Sequence, residues 1–197
     1  MAILLTMSSG VSAVTRITSG NTLLGANGVE VNHVLYDVRF QDGTCISLYS
    51  GCDQASDFVF PANSFDANSA SNALNEQVFI DIGSQLWDSS SAFAPSGCTF
   101  VNSCSIITPY GISGSNVLST TFVNWYVATN TDFSRINTPS ARSTFTTIGS
   151  TSGTMAVWSL AAPPVTPVPE PETYALLLAG LGIVAFAARR AKVRGAS

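Results

Sequence analysis

The residue types that most often perform catalysis are sparse in this 197-residue chain. His33 is the single histidine, and no nucleophile stands in a recognisable pattern beside it. The chain contains no G-x-S-x-G, HExxH, Walker or dinucleotide-binding motif. We therefore expect His33 to be an ordinary surface or strand-edge histidine, and we expect no catalytic residue and no cofactor.

Acidic side chains that are close in the sequence offer two other kinds of chemistry. Glycoside hydrolysis uses two carboxyl groups, and Asp37 with Asp42 is one such pair. Asp42 precedes a glycine, however, and formation of a turn explains it better than catalysis. Asp53 and Asp57 offer oxygen ligands of the kind that Ca²⁺ prefers, but they lack the spacing of an EF-hand or similar loop. The sequence therefore predicts no metal site.

Tryptophan side chains could bind sugars by stacking on their rings. Trp125 and Trp158 lie in strand-like patterns, which predict positions in the core. Trp87 follows the main predicted helix and is the tryptophan most expected at the surface. Trp87 is therefore the predicted glycan contact, if the chain binds a glycan.

The four cysteines fall into two local pairs, Cys45 with Cys52 and Cys98 with Cys104. We favour two disulfides within these pairs, because short loops that contain turn formers close easily. Each would stabilise the fold by about 2–3 kcal/mol. A zinc site is one alternative, although its cysteines are normally separated by two to four residues, and free thiols are the other. Disulfides persist in oxidising compartments, so these pairs indicate export.

The charge of the body of the chain excludes one class of partner. Residues 14–167 contain four arginines, no lysine and ten acidic side chains, which gives a formal charge of −6. Such a surface repels nucleic acid, so we expect no nucleic-acid partner.

Apolar periodicity predicts an α+β domain over residues 14–161, an antiparallel β-sheet with one main amphipathic helix. A β-sandwich is the alternative. The helix is expected over residues 67–80, with Asp66 as its N-cap. Its apolar face is formed by Ala67, Ala70, Ala73, Leu74 and Val78.

Alternating residues and turn signals predict the strands of this sheet. Residues 34–40 and 44–49 are expected to form a hairpin, and Asn27-Gly28 is expected to form another turn. Residues 116–128 form the longest predicted strand, whereas residues 83–109 are expected to be irregular. Residues 142–148 and 154–160 are predicted to close the sheet as an antiparallel pair.

The C-terminal segment has three parts in a fixed order. A proline-rich linker over residues 162–172 contains Val168, Pro169, Glu170 and Pro171. Residues 173–188 are uncharged and mostly apolar, and a helix of this length spans about 24 Å. Although that is shorter than the roughly 30 Å hydrocarbon core, long basic side chains can extend to the headgroups. The basic residues that follow are Arg189, Arg190, Lys192 and Arg194. We therefore predict a transmembrane helix and basic tail over residues 173–197, with the body outside the cytoplasm.

This tripartite tail, residues 168–194, resembles the PEP-CTERM sorting signal of exported Gram-negative proteins. The resemblance implies that exosortase, a membrane enzyme, recognises Pro169-Glu170-Pro171 and cuts nearby. The precursor would then be anchored in the membrane before its body reaches the cell surface or extracellular matrix. The family's link with exopolysaccharide synthesis also implies an exopolysaccharide partner and a role in biofilms.

Two further features agree with export. Residues 35–111, which contain LYDVRFQDGTC and TPYG, resemble a recurrent group of PEP-CTERM exoproteins without an assigned activity. Residues 1–13 contain a short apolar stretch and a small-residue cleavage site, Val11-Ser12-Ala13, but no basic start. We interpret residues 1–13 as the remnant of a truncated signal peptide.

These patterns support two expectations about function. The first is a non-enzymatic protein of the cell envelope or extracellular matrix that exosortase processes. The alternative is a surface-displayed carbohydrate-binding module or weak glycan hydrolase. Exposed aromatic side chains would favour the alternative, whereas buried ones would favour the first.

Overall fold

The structure is a computed structural model that describes residues 13–127, 131–163 and 176–183. The chain divides into two compact units, Met1–Ala161 and Ala162–Ser197. Within the described part of the first unit, one sheet and one main helix form the fold. This architecture confirms the predicted α+β class, and its strands form a single sheet rather than the two sheets of a sandwich.

The described strands follow the spatial order β1-β2-β3-β8-β4-β5-β6, and β7 pairs with β5. The strand bounds are Thr15–Ser19 for β1, Thr22–Val31 for β2, Val34–Gln41 for β3, Ser103–Ser113 for β4, Asn116–Trp125 for β5, Phe133–Ile136 for β6, Ser140–Ala141 for β7 and Gly153–Leu160 for β8. Neighbours run antiparallel except for β4 and β8, which run parallel.

The two faces of the sheet contribute to two different hydrophobic clusters. Along β8, Ala156 and Trp158 belong to the larger cluster, which includes the main helix. Met155 and Val157 belong to the smaller cluster, which includes Phe145. Because neighbouring residues of a strand point to opposite faces, each face of the central strands packs against its own cluster.

The main helix, α2, spans Ser64–Ala73 and begins after Asn63. The side chain of Asn63 accepts hydrogen bonds from the backbone N–H groups of Phe65 and Asp66, at 3.1 and 3.2 Å. The prediction that Asp66 caps the helix is therefore wrong, because Asn63 binds the free N–H groups one turn earlier. The predicted apolar face is confirmed, since all five of its residues are buried.

Small residues and hydroxyl groups join α2 to the sheet. The hydroxyl of Thr120 on β5 donates to the carbonyl of Ala67 at 3.0 Å. It also lies 2.9 Å from the hydroxyl of Ser71, which is fully buried. After α2, residues Leu74–Val78 form a wider π-helical turn. That turn brings the chain to the loop that contains Trp87.

Only the first strand of the hairpin predicted over residues 34–49 is confirmed, as β3. In place of the second strand, residues Cys45–Leu48 form a short helix, α1. The Thr44 hydroxyl accepts a hydrogen bond from Ser47 N, and the Ser47 hydroxyl accepts one from Thr44 N, both at 3.1 Å. This reciprocal capping box stabilises a helical start where the alternating pattern indicated a strand. The neighbours of β3 are β2 and β8 instead.

The turn predicted at Asn27-Gly28 is also wrong. Gly28 has a φ of +71° and lies within β2, where the register with β3 shifts between Ala26 and Val29. The chain reverses five residues later at Asn32 and His33, whose φ values are +49° and +66°. The positive φ of Gly28 accompanies a β-bulge within β2 and not a turn.

The antiparallel pair predicted over residues 142–148 and 154–160 is only partly confirmed. The second strand is confirmed as β8, but it lies between β3 and β4. Residues Arg142–Thr144 form a 3-10 turn, and Thr146 makes only an isolated bridge with Thr44. The strand predicted over residues 116–128 is confirmed as β5. β4 lies partly in the region expected to be irregular.

In the second unit, residues 176–183 are helical and exposed. The transmembrane segment predicted over 173–197 extends beyond these described residues. Among the helices that the structure describes, none combines the length and apolar character needed to cross a membrane. The signal-peptide remnant predicted over 1–13 lies outside the described residues except for its last position.

Candidate functional site

The predicted glycan contact, Trp87, is not at the surface. Its side chain is fully buried and packs edge-on against Phe93, with ring centroids 5.2 Å apart. Its carbonyl accepts a hydrogen bond from the Asn124 side chain at 2.9 Å. The expectation of an exposed Trp87 is therefore wrong, because the loop after α2 folds back onto the sheet and carries this ring into the core.

Of the other two tryptophans, one is buried as predicted and the other is not. Trp158 is buried, as expected, and its indole N–H donates to the Thr108 hydroxyl at 3.1 Å. Trp125, at the end of β5, was predicted in the core but is only partly buried. It lines a surface cavity, so Trp125 replaces Trp87 as the accessible tryptophan.

The cysteines form the two predicted disulfides. Cys45 is bonded to Cys52 and Cys98 to Cys104, with Cα atoms 5.7 and 5.8 Å apart. The first disulfide belongs to the smaller hydrophobic cluster and the second to the larger. Each bond therefore fixes a loop against a different face of the sheet. The zinc-site and free-thiol alternatives do not apply to cysteines bonded in this way.

The acidic residues considered from the sequence have local structural roles. Asp57 accepts hydrogen bonds from the backbone N–H groups of Asp53 and Gln54, at 2.9 and 3.0 Å. Asp37 accepts one from Gly28 at 3.0 Å and so stabilises the bulge in β2. His33 lies in the turn after β2 with an exposed ring, 3.2 Å from a carboxylate oxygen of Glu30. Within the described residues, no three His, Cys, Asp or Glu side chains are arranged to hold a metal ion.

A cavity of about 400 Å³, hereafter the acidic cavity, lies beside the end of β5. Three stretches of chain line it: the π-helical turn, the loop after Trp87 and the segment between β5 and β6. Its lining residues are Asn75, Asp88, Ser89, Trp125, Tyr126, Val127, Thr131 and Asp132. The cavity therefore combines aromatic side chains with two carboxyl groups.

Hydrogen bonds to the backbone position the two carboxyl groups. Asp132 Oδ1 accepts from the backbone N–H of Trp125 at 2.7 Å. On the opposite side, Asp81 accepts from the backbone N–H groups of Asp88 and Ser89, at 3.0 and 3.3 Å. Asp88 also directly follows the buried Trp87. As a result, Asp88 and Asp132 line the same cavity, and the two groups influence each other's pKa.

The pKa values of both carboxyl groups are higher in the folded protein than in water. Burial raises the pKa of Asp132 to about 6, opposed by the hydrogen bond from Trp125 and reinforced by the neighbouring Asp88. Burial also raises the pKa of Asp88, and the charge of Asp81 adds to that effect against the hydrogen bond from Asp132. Ionisation of both groups therefore places two mutually repelling negative charges in the cavity.

Two polar atoms beside these charges have no hydrogen-bond partner among the described residues. They are Asp132 Oδ2 and the Tyr126 hydroxyl, and both are shielded from solvent. Tyr126 is only 7% exposed, and burial together with the charge of Asp132 raises the pKa of its hydroxyl. A ligand or an ordered water that reached these two atoms would satisfy them.

Asp88 and Asp132 line the same cavity, and each influences the ionisation of the other. This pair was not predicted from the sequence, because 43 residues separate its members and no local motif connects them.

The predicted sorting residues lie outside the described part of the chain. These residues are Val168, Pro169, Glu170, Pro171, Arg189, Arg190, Lys192 and Arg194. Residues 167–191 match the family described as the PEP-CTERM protein-sorting motif, which confirms the identification made from the tail. The motif implies an exported protein that is targeted to exosortase through a C-terminal membrane-anchored signal. No match was found among the curated proteins, and none among the solved structures.

Proposed function

We propose that this chain is a non-enzymatic protein of the Gram-negative cell envelope or extracellular matrix that exosortase processes and that associates with exopolysaccharide. The single observation that carries the proposal is the PEP-CTERM motif over residues 167–191. In this proposal, residues 173–197 hold the precursor in the inner membrane until cleavage near Pro169-Glu170-Pro171. The body then remains at the surface or in the matrix.

The chemistry of the body supports a location outside the cytoplasm. Two disulfides close local loops, and disulfides persist mainly in oxidising compartments. The body carries a formal charge of −6 and no lysine, so its surface disfavours adhesion to nucleic acid. A matrix protein benefits from this combination, because covalent loops resist unfolding where no cellular machinery repairs the fold.

The non-enzymatic part of the proposal is supported by the side chains that the fold brings together. Among the described residues, the side-chain partner of the exposed His33 ring is the carboxylate of Glu30. Asp37 and Asp57, two of the acidic residues considered for catalysis, accept hydrogen bonds from the backbone. Most large aromatic side chains, including Trp87 and Trp158, contribute to the core.

Processing is tested by replacing Pro169, Glu170 and Pro171 together with alanine in a host that contains exosortase. We expect a shift from the shorter processed form to the full-length precursor in immunoblots of cell fractions. Replacement of Pro163 and Pro164 with alanine is the matched control, since it alters the same linker outside the matched motif. The same processed form in an exosortase-deletion host would refute the proposal.

Deletion of residues 173–197 tests anchoring separately. The truncated chain lacks the apolar segment and the basic residues, so we expect it in the medium rather than in the membrane fraction. Continued retention of the truncated chain in the membrane fraction would contradict an anchoring role.

Carbohydrate binding is a second candidate function, and the acidic cavity favours it. Trp125 presents a partly exposed aromatic side chain beside polar groups, which is the usual composition of a sugar-binding surface. A carbohydrate-binding module would explain how the exported body associates with exopolysaccharide.

A further inference from the structure

We propose that the acidic cavity binds an amino-sugar ring that carries a protonated amine. The inference rests on the exopolysaccharide association proposed above and names the kind of sugar that this site would take. Its basis is the juxtaposition of Asp88, Asp132, Trp125 and Tyr126 around one cavity.

The size and the lining of the cavity suit one small polar ring. A volume of about 400 Å³ lies near the lower end of the range for small-molecule sites. Asn75 and Ser89 line the cavity beside the carboxyl groups and offer both donors and acceptors. Trp125 and Val127 supply the apolar part of the lining. A flat ring with several polar substituents can use both kinds of surface.

The charge of the site selects among sugars. Two neighbouring carboxylates disfavour each other's ionisation, and a cation between them removes that cost. An ammonium group has three donors, which can serve the carboxyl groups of Asp88 and Asp132 that line the cavity. A uronic acid would instead add a third negative charge. An N-acetylated sugar offers hydrogen bonds but leaves the repulsion in place.

The aromatic residues strengthen the preference for a cation. An ammonium group close to the face of a tryptophan gains a cation–π interaction, and Trp125 lines the cavity with its side chain partly exposed. Tyr126 also lines the cavity, and its buried hydroxyl has no partner among the described residues. Acidic and aromatic groups therefore favour the same ligand.

The experiment is calorimetry on the full chain in a detergent without sugar headgroups, at pH 7. At this pH, Asp132 is mostly ionised, and neighbouring carboxylates favour the charged form of a bound amine. The probes are trimers of glucosamine, of N-acetylglucosamine and of galacturonic acid. We expect the glucosamine trimer to bind at least tenfold more tightly than the N-acetylated trimer, and no binding of the acidic trimer.

Two substitutions localise the binding. Asp132→Asn keeps an oxygen for the Trp125 N–H but removes the charge, so we expect at least a tenfold loss of affinity. Asp53→Asn is the matched control, because Asp53 is exposed and lies outside the cavity lining. If Asp132→Asn folds poorly, Asp88→Asn tests the same pair from the other side. A near-ultraviolet circular dichroism spectrum establishes that each variant is folded.

Several results would overturn the inference. They are equal affinity for free and acetylated trimers, no binding of any trimer, and unchanged affinity in the folded Asp132→Asn variant. Calcium binding that depends on Asp132, without sugar binding, would replace the sugar with a metal ion. Co-sedimentation with exopolysaccharide separates the two proposals. If the wild type and Asp132→Asn co-sediment equally, the cavity inference fails while the proposed matrix function stands.

Discussion

The Asp88–Asp132 pair makes the stability of the fold depend on pH in an unusual direction. Most structural carboxylates stabilise a protein as pH rises, because their pKa values are lower in the folded state. Here burial and the neighbouring Asp88 raise the pKa of Asp132 from its ordinary 3.8 to about 6. The folded protein therefore binds the proton of Asp132 more tightly than the unfolded chain does. This contribution is fully present below pH 4 and is lost as the pH rises through 6.

The substitution Asp132→Asn measures the size of that loss. A rise of about two pKa units corresponds to about 3 kcal/mol, and solvent screening of this half-buried group reduces the value to about 1–2 kcal/mol. Asparagine keeps an acceptor for Trp125 N and can donate to Asp88, as the protonated acid does. We expect the variant to be about 1–2 kcal/mol more stable than the wild type at pH 8. At pH 4 the difference should be close to zero.

Urea unfolding of the full chain, followed by tryptophan fluorescence, gives the free energy of unfolding at each pH. An unchanged m-value would show that the substitution altered stability and not the surface exposed on unfolding. Asp53→Asn, at an exposed position outside the cavity, should stay within about 0.5 kcal/mol of the wild type at both pH values. A variant that is less stable than the wild type at pH 8, or a difference that is constant with pH, would refute the reasoning from the raised pKa of Asp132.

Three further predictions test the fold around the cavity. Reduction should increase the intact mass by two hydrogens for each disulfide, and an unchanged mass would exclude the bonds. Replacing Cys45 and Cys52 with serine should lower the free energy of unfolding by about 2–3 kcal/mol. Trp87→Ala should lower the free energy of unfolding by about 3–5 kcal/mol because the ring is fully buried, whereas Trp125→Ala should lower it by about 1–2 kcal/mol. Denaturant unfolding compares the two variants, and equal losses would contradict the placement of Trp87 in the core and Trp125 at the cavity. Thr120→Val should lower the free energy of unfolding by about 1–3 kcal/mol, because it leaves the buried Ser71 hydroxyl without its partner. Adding Ser71→Ala should recover part of that loss, and strictly additive losses would argue against the hydrogen bond.

Local patterns predicted the elements whose residues follow one period over several turns or strand positions. The buried face of α2 and the strand β5 are such elements. The return strand after β3 failed because alternation over residues 44–49 competes with a stronger local effect. Thr44 and Ser47 cap each other's backbone, and Cys45 is tied to Cys52 seven residues later. Together these interactions favour a helical turn that the hydrophobic pattern alone does not indicate.

The failure at Asn27-Gly28 has a different physical cause. Gly28 takes a positive φ, and a positive φ can serve either a turn or a bulge. The choice is made by β3, which lies across the strand. Asp37 binds the N–H of Gly28, and the Arg39 guanidinium donates to the Asn27 side chain at 2.8 Å. Since these partners belong to the neighbouring strand, no window confined to residues 20–30 contains the deciding interaction.

The acidic cavity is an extreme case of the same dependence on distant residues. Asp88 is positioned because Trp87 beside it is buried, and Asp132 because it binds the backbone at the end of β5. Neither carboxylate is unusual in its own segment, and burial in the folded protein is the main cause of both raised pKa values. A fold under selection for stability alone would gain from an asparagine at residue 132. An aspartate that costs stability at neutral pH, beside a partly exposed tryptophan, is a reason to look for a ligand that compensates for its charge.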